Sequence, residues 1–197
     1  MRLAAVVSGA ELESADPVAR HDGLLVGAGI LGGALFGALV LVVLAPRPAL
    51  AVVRPRPRDV GLWILAATLL VAAFDLAAWR LGRPLVEPAW ADVARTAPPL
   101  LLPVALTVTS IFEELYVRGF LQSGLTETRL RAPGAIALTA LLFTAAHAPH
   151  DAVRFADVLS AGVLLGVARW QSRSTIPGMI VHVIGNLKVL VFLHLGL

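Results

Sequence analysis

The chain contains no cysteine, a single tyrosine and two methionines among 197 residues, and only 15% of it is charged. Without cysteine there is no disulfide framework, no thiolate nucleophile and no thiolate metal site. The low charge excludes an ordinary soluble domain, which carries about 25% Asp, Glu, Lys and Arg. What is abundant is apolar: 58% of the residues are hydrophobic and the mean hydropathy is +0.83. One aqueous core could not hide that much apolar surface. A hydrocarbon layer roughly 30 Å thick can, because each run of about 20 apolar residues stays solvated by lipid along its length. The pI of about 10.5 does not signal nucleic-acid binding, since the basic residues are scattered singly through short loops and form no stripe on one helix. Such loops are what the positive-inside rule places in the cytoplasm.

Residues 1–22 mix small apolar residues with Glu11, Glu13, Asp16 and Arg20 and lack the order of a secretory signal. They read as a leader, mobile or lying on the surface. Residues 23–197 then form one transmembrane domain, with no repeat, low-complexity tract or linker to divide it. Gly23 to Ala45 is an uncharged run with Gly27, Gly29, Gly32, Gly33 and Gly37, small residues that let helices approach closely in lipid. Pro46-Arg47-Pro48 and Arg54-Pro55-Arg56-Pro57-Arg58 end it, because such a segment cannot stay helical. Gly61 to Trp79 is a second span, containing Asp75, and the proline-bearing stretch 80–99 reads as a loop or interfacial piece. A third apolar run from Leu100 continues through Glu113, Glu114 and Arg118 without a proline to stop it. Gly134 to Ala146, Phe155 to Trp170 and Ile176 to Leu195 complete an expected all-α bundle of about six transmembrane helices around a polar cavity. The loops 46–59, 126–132 and 169–175 hold eight Lys and Arg against six on the other side, which places those three loops in the cytoplasm.

An ionisable side chain in the middle of a transmembrane helix costs roughly 2.5–3.5 kcal/mol on insertion scales, so it needs a partner or a job. Glu113, Glu114, Arg118, His147, His182 and Lys188 all raise that demand. Glu114 and Arg118 are four apart and share a helix face, which predicts a salt bridge. Glu113 points a quarter turn away and is left to act. Asp75 and Lys188 read as a second, structural pair between spans two and six. Phe143 and His147, like His182 and Asn186, stand four apart and share a face. Glu113 and His147 each lie about 17 residues, roughly 25 Å, from a turn centred near residue 130. His182 is only some six residues, roughly 9 Å, into its helix. Agreement in depth therefore requires the 113–147 hairpin to project beyond the bilayer.

A Glu facing two His and an Asn makes a workable hydrolytic site. Glu113 would take a proton from water as it attacks a carbonyl, His147 would hold or polarise that water, and His182 with Asn186 would donate to the oxyanion. The same residues could instead bind zinc, although no His-Glu-x-x-His pair is present. Three sequences carry a resemblance: Glu113-Glu114-Leu115-Tyr116-Val117-Arg118, Phe143-Thr144-Ala145-Ala146-His147 and His182-Val183-Ile184-Gly185-Asn186. Taken together and in this order, over residues of about 98–197, they resemble the CPBP family. These are the CAAX proteases and bacteriocin-processing enzymes, intramembrane glutamic-type peptidases related to the type II CAAX prenyl endopeptidase.

The resemblance implies a protease-like core at 98–197, with catalysis by Glu113, His147, His182 and Asn186. Glu114, Arg118 and Phe143 would be support. It further implies a site open toward the cytoplasm, a membrane-associated protein or peptide as substrate, the lipid bilayer as surroundings, no cofactor, and a multi-pass protein of the bacterial cytoplasmic membrane. About six spans, where the eukaryotic enzymes have eight, put a prenylated substrate in doubt. Two other classes compete with an enzyme. A non-proteolytic scaffold or bacteriocin immunity protein could keep the same polar cluster to hold its bundle together. An ion-coupled transporter would use the carboxylates as a proton relay, but broken-helix repeats are absent from the sequence.

Overall fold

The structure, a computed structural model, describes residues 17–45, 50–86 and 88–195. The expected leader up to residue 16 and the turn Pro46-Arg47-Pro48 lie outside the described residues. The elements are α1 (Pro17–Leu44), α2 (Pro57–Arg80), α3 (Pro88–Thr96), α4 (Leu101–Glu114), a π-helical turn (Leu115–Leu121), α5 (Gln122–Thr126), α6 (Arg131–Ala146), α7 (Ala152–Ser172) and α8 (Ile176–Leu195). Among the described residues there is no strand. Residues 17–22, expected in the leader, instead open α1: a proline with its fixed φ suits the first helical position, where its missing N–H is not needed. Pro57 and Pro88 head α2 and α3 in the same way.

Three helices are long and apolar enough to cross a membrane: Gly23–Leu44, Pro57–Arg80 and Ile176–Leu193. The other three expected spans miss that criterion for reasons written in their sequences. The continuous helical stretch 101–126 carries Glu113, Glu114 and Arg118, α7 carries Arg154, Asp157 and Arg169, and α6 has only 16 residues. Burial is inverted relative to a soluble protein. Phe36, Val43 and Leu44 of α1 are more than two-thirds exposed, while Ser110, Glu114, Arg118, Thr139, Ser174 and Thr175 are fully buried. Lipid replaces water as the outer solvent, so apolar side chains face out, and the interior is closed by small and polar ones. Ala105, Ala135, Ala140 and Ala168 supply the close approach. Two glycines of α1 are pressed onto the stretch that bears the charges: a Cβ on Gly37 would stand 2.6 Å from the Phe112 ring and one on Gly27 2.8 Å from Leu101 Cδ2.

The loops sort into the two ends that the charge count assigned them. At one end, residues 50–53 lie against 174–175: Thr175 Oγ1 donates to Leu50 O (2.6 Å), Ser174 Oγ to Val53 O (2.5 Å) and Thr175 N to Ala51 O (3.0 Å). Arg169 Nη2 donates to Ser123 Oγ (2.9 Å), drawing the 122–131 hairpin to the same end. At the other end Arg83 pairs with Asp151. Asp151 caps α7 by accepting from Val153 N (2.8 Å) and Arg154 N (3.0 Å). Those backbone bonds, that of Arg154 first, hold its carboxyl below the usual aspartate range.

Glu113 and His182 come together in depth, Glu113 Oε2 standing 3.6 Å from His182 Nε2. A Cβ on Gly119 would lie 2.9 Å from Leu50 O, and Leu50 O is bonded to Thr175 at the start of α8. Gly119 is thus level with the first turn of α8, and the chain from there to α6 runs past that helix. Glu114, five residues back, comes level with the shallow His182.

Candidate active site

The centre of the bundle is a polar ladder on one helical stretch. Ser110, Glu114, Arg118 and Gln122 recur every four residues, and each is at least 97% buried. Each rung meets another helix. Asn186 Nδ2 of α8 donates to Ser110 Oγ (2.9 Å), and Ser110 in turn donates to Leu106 O (2.7 Å). Glu114 Oε1 lies 3.1 Å from both Arg118 Nη1 and His182 Nδ1. Arg118 Nη2 donates to Gly162 O (3.2 Å) and Gln122 Nε2 to Gly166 O (2.9 Å), both on α7. The ladder passes through the π-helical turn, where Gln122 N–H reaches back five residues to Val117 O. Single π-turns inside α-helices concentrate at functional sites.

The predicted Glu114–Arg118 bridge is therefore present and fully buried. Arg118 also places its guanidinium 4.3 Å over the Phe143 ring, a cation–π contact that gives Phe143 a job beyond packing. Phe143 is a hub. Its ring centroid is 4.3 Å from that of His147 and 5.7 Å from that of His182, the latter edge-on. The two imidazoles from α6 and α8 consequently stand no farther apart than those two separations combined.

The hydrogen bonds determine where protons sit. His147 caps the end of α6, exposed, with Nδ1 2.8 Å from Phe143 O. A carbonyl only accepts, so Nδ1 carries the hydrogen and neutral His147 presents the lone pair of Nε2 outward. His182 is buried. Its Nδ1 faces the Arg118-bonded carboxylate of Glu114 and donates to it, and its Nε2 faces Glu113 Oε2 at 3.6 Å. A lone pair facing a carboxylate would repel it, so one proton belongs to this contact.

Glu113 and Glu114 differ sharply. Glu114 is fully buried with Oε1 held by two partners, whereas Glu113 keeps 26% of its side chain exposed; the Oε2 of each makes no hydrogen bond. Of the seven residues singled out in the sequence, Glu113, Glu114, His182, Arg118 and Phe143 form one connected cluster. His147 joins it through Phe143. Asn186 stands one turn along α8, tied to Ser110. Sequence reasoning missed Ser110 and Gln122, although their spacing of four from Glu114 and Arg118 was the available signal. Asp75 and Lys188 form the expected separate pair, with Nζ 2.8 and 3.0 Å from the two carboxylate oxygens. Among the described residues no three His, Asp or Glu side chains are grouped as a metal would need.

Gly178 has no substitute in this arrangement. A Cβ there would stand 2.6 Å from Glu114 Oε2, so Gly178→Ala must displace the carboxylate that holds both Arg118 and His182. Overpacking of this kind costs about 1–3 kcal/mol. The thermal unfolding midpoint in detergent is expected to fall accordingly, and an unchanged midpoint would contradict the packing described.

Residues 95–188 match the family model described as type II CAAX prenyl endopeptidase Rce1-like. No curated protein and no solved structure matches the chain. The matched stretch runs from α3 into α8 and contains the polar ladder, both imidazoles and Asn186; α1 and α2 lie outside it.

Proposed function

Because residues 95–188 belong to the Rce1-like type II CAAX prenyl endopeptidase family, a family of membrane proteases with peptide or protein substrates, we propose that this integral membrane protein hydrolyses a peptide bond with water activated by Glu113. The observation that carries the reading is the contrast between adjacent carboxylates: Glu114 is sealed, with Oε1 between Arg118 and His182, whereas Glu113 keeps 26% of its side chain exposed and, among the described residues, meets only His182 Nε2, at 3.6 Å. Glu113 takes a proton from water while the water oxygen bonds to the substrate carbonyl carbon. The carbonyl electron pair moves to oxygen, where protonated His182 Nε2 and the second N–H of Asn186 Nδ2 stabilise the oxyanion. His147 Nε2 accepts the water's other hydrogen and fixes its direction. Collapse of the intermediate returns the pair to the carbonyl, breaks the C–N bond and passes the proton from Glu113 to the leaving amine. The products are a carboxylic acid, which passes its proton to the amine or to solvent, and the amine. Glu114 and Arg118 hold His182 in place and do not touch the reacting atoms.

The substrate on this reading is a membrane-associated protein or peptide, cleaved in a bacterial cytoplasmic membrane with loops 46–59, 126–132 and 169–175 on the cytoplasmic side. No metal takes part. Purified protein in detergent is expected to cleave a membrane-tethered peptide at the same rate before and after exhaustive chelation. Loss of cleavage restored only by zinc would overturn the metal-independent reading. Equal cleavage by wild type and Glu113→Ala would overturn the enzyme reading in favour of a scaffold that uses the cluster for packing alone.

A further inference from the structure

Besides Glu114 Oε2, which the Arg118-paired carboxylate turns toward Gly178, two buried oxygens on α4 have no hydrogen-bond partner within the protein: Thr109 Oγ1 and Glu113 Oε2. They are four residues apart in a regular α-helix, so they share a face one turn from each other. A buried helical threonine or serine ordinarily satisfies its hydroxyl by donating to the carbonyl one turn back. This protein follows that habit beside the site. Ser110 donates to Leu106 O (2.7 Å), Thr139 to Ala135 O (2.8 Å) and Thr144 to Ala140 O (2.8 Å). Thr109 does not. An unmatched buried hydroxyl lowers stability, and a valine of the same shape would avoid that cost. The hydroxyl that is left unmatched is the one beside Glu113. It is also at the level of Asn186, because its neighbour Ser110 bonds that side chain at 2.9 Å.

We propose that Thr109 is a positioning residue for hydrolysis, its Oγ1 holding the water that Glu113 deprotonates. The inference rests on the reading of Glu113 as base. With Oγ1 on one side and Glu113 Oε2 on the other, the water is gripped along the face of α4. His147 and the substrate carbonyl then complete its surroundings. Thr109 neither gives nor takes a proton in the net reaction.

The test compares wild type, Thr109→Val, Thr109→Ser and Glu113→Gln in cleavage of a membrane-tethered peptide, with thermal unfolding measured on the same samples. Thr109→Val is expected to lower kcat by about 10- to 100-fold, as misplacing a reacting group does, with KM little changed and a midpoint no lower than wild type. Thr109→Ser, which keeps the hydroxyl, is expected to retain kcat within about threefold. If valine at this position prevents folding, Thr109→Ala against Thr109→Ser in folded protein makes the same comparison, with alanine expected to be the slower. Wild-type kcat in Thr109→Val or Thr109→Ala, with Glu113→Gln inactive, would overturn the role of Thr109 and leave the base intact. Wild-type kcat in Glu113→Gln would overturn the base itself.

Discussion

Glu113→Gln is expected to lower kcat for cleavage of a membrane-tethered peptide by about 10²–10⁴-fold, the usual contribution of a positioned general base. The amide matches the carboxylate in shape and cannot accept the proton from water. The side chain is 26% exposed and its Oε2 forms no hydrogen bond, so the substitution costs the fold only the 3.6 Å contact with His182 Nε2. Stability should therefore stay close to wild type, within about 1 kcal/mol, the worth of a partly exposed ion pair. That combination separates a base from a structural carboxylate. A large fall in midpoint, or a kcat within a few-fold of wild type, would place Glu113 among the supports.

The largest stability effect is expected at Arg118. Its guanidinium is fully buried and meets Glu114 at 3.1 Å, the Gly162 carbonyl at 3.2 Å and the Phe143 face at 4.3 Å. Arg118→Met fills much of the volume but strands the Glu114 carboxylate with His182 as its remaining partner. Removing one member of a buried pair costs about 3–5 kcal/mol, because the other charge stays buried. For a chain of this size that corresponds to a fall of roughly 10 °C in midpoint. Replacing both members, as Glu114→Leu with Arg118→Met, should recover part of the loss, since apolar substitution of a whole buried pair is often neutral. A double variant no more stable than Arg118→Met would show that the cost lies in the lost Gly162 and Phe143 contacts. Thermal unfolding of the purified proteins in detergent distinguishes these outcomes.

These residues were legible in the sequence because charge in an apolar run stands out. Glu113, Glu114, Arg118, His182 and Lys188 interrupt lipid-compatible stretches, and helical spacing alone pairs Glu114 with Arg118. The Asp75–Lys188 pair was found by the same logic. The π-helical turn was not legible: Leu115 to Leu121 reads as an ordinary helix, and the pressure of the Leu50 backbone on Gly119 comes from a distant segment. The strap at 50–53 was visible only as a Pro and Arg interruption, because the Ser174 and Thr175 hydroxyls that pin it are commonplace in sequence. Ser110 and Gln122 were passed over because uncharged polar residues cost little in a helix and attract no notice. Three of the six expected spans meet the length and apolarity of a membrane-crossing helix; α6, α7 and the stretch bearing Glu113 fall short in length or carry more charge. The first span was placed at Gly23, where the membrane-crossing candidate begins; that its helix opens earlier, at Pro17, was hidden by the charged residues around Asp16 and Arg20, although Pro17 is a good first helical residue.

The central claim is that water, activated by Glu113, adds directly to the substrate carbonyl. A single turnover in H₂¹⁸O, with excess enzyme over a membrane-tethered peptide and mass spectrometry of both fragments and of the enzyme, tests it most directly. One ¹⁸O is expected in the new carboxylate of the N-terminal fragment, with none in Glu113. An unlabelled carboxylate, or label recovered on Glu113, would contradict direct attack by water.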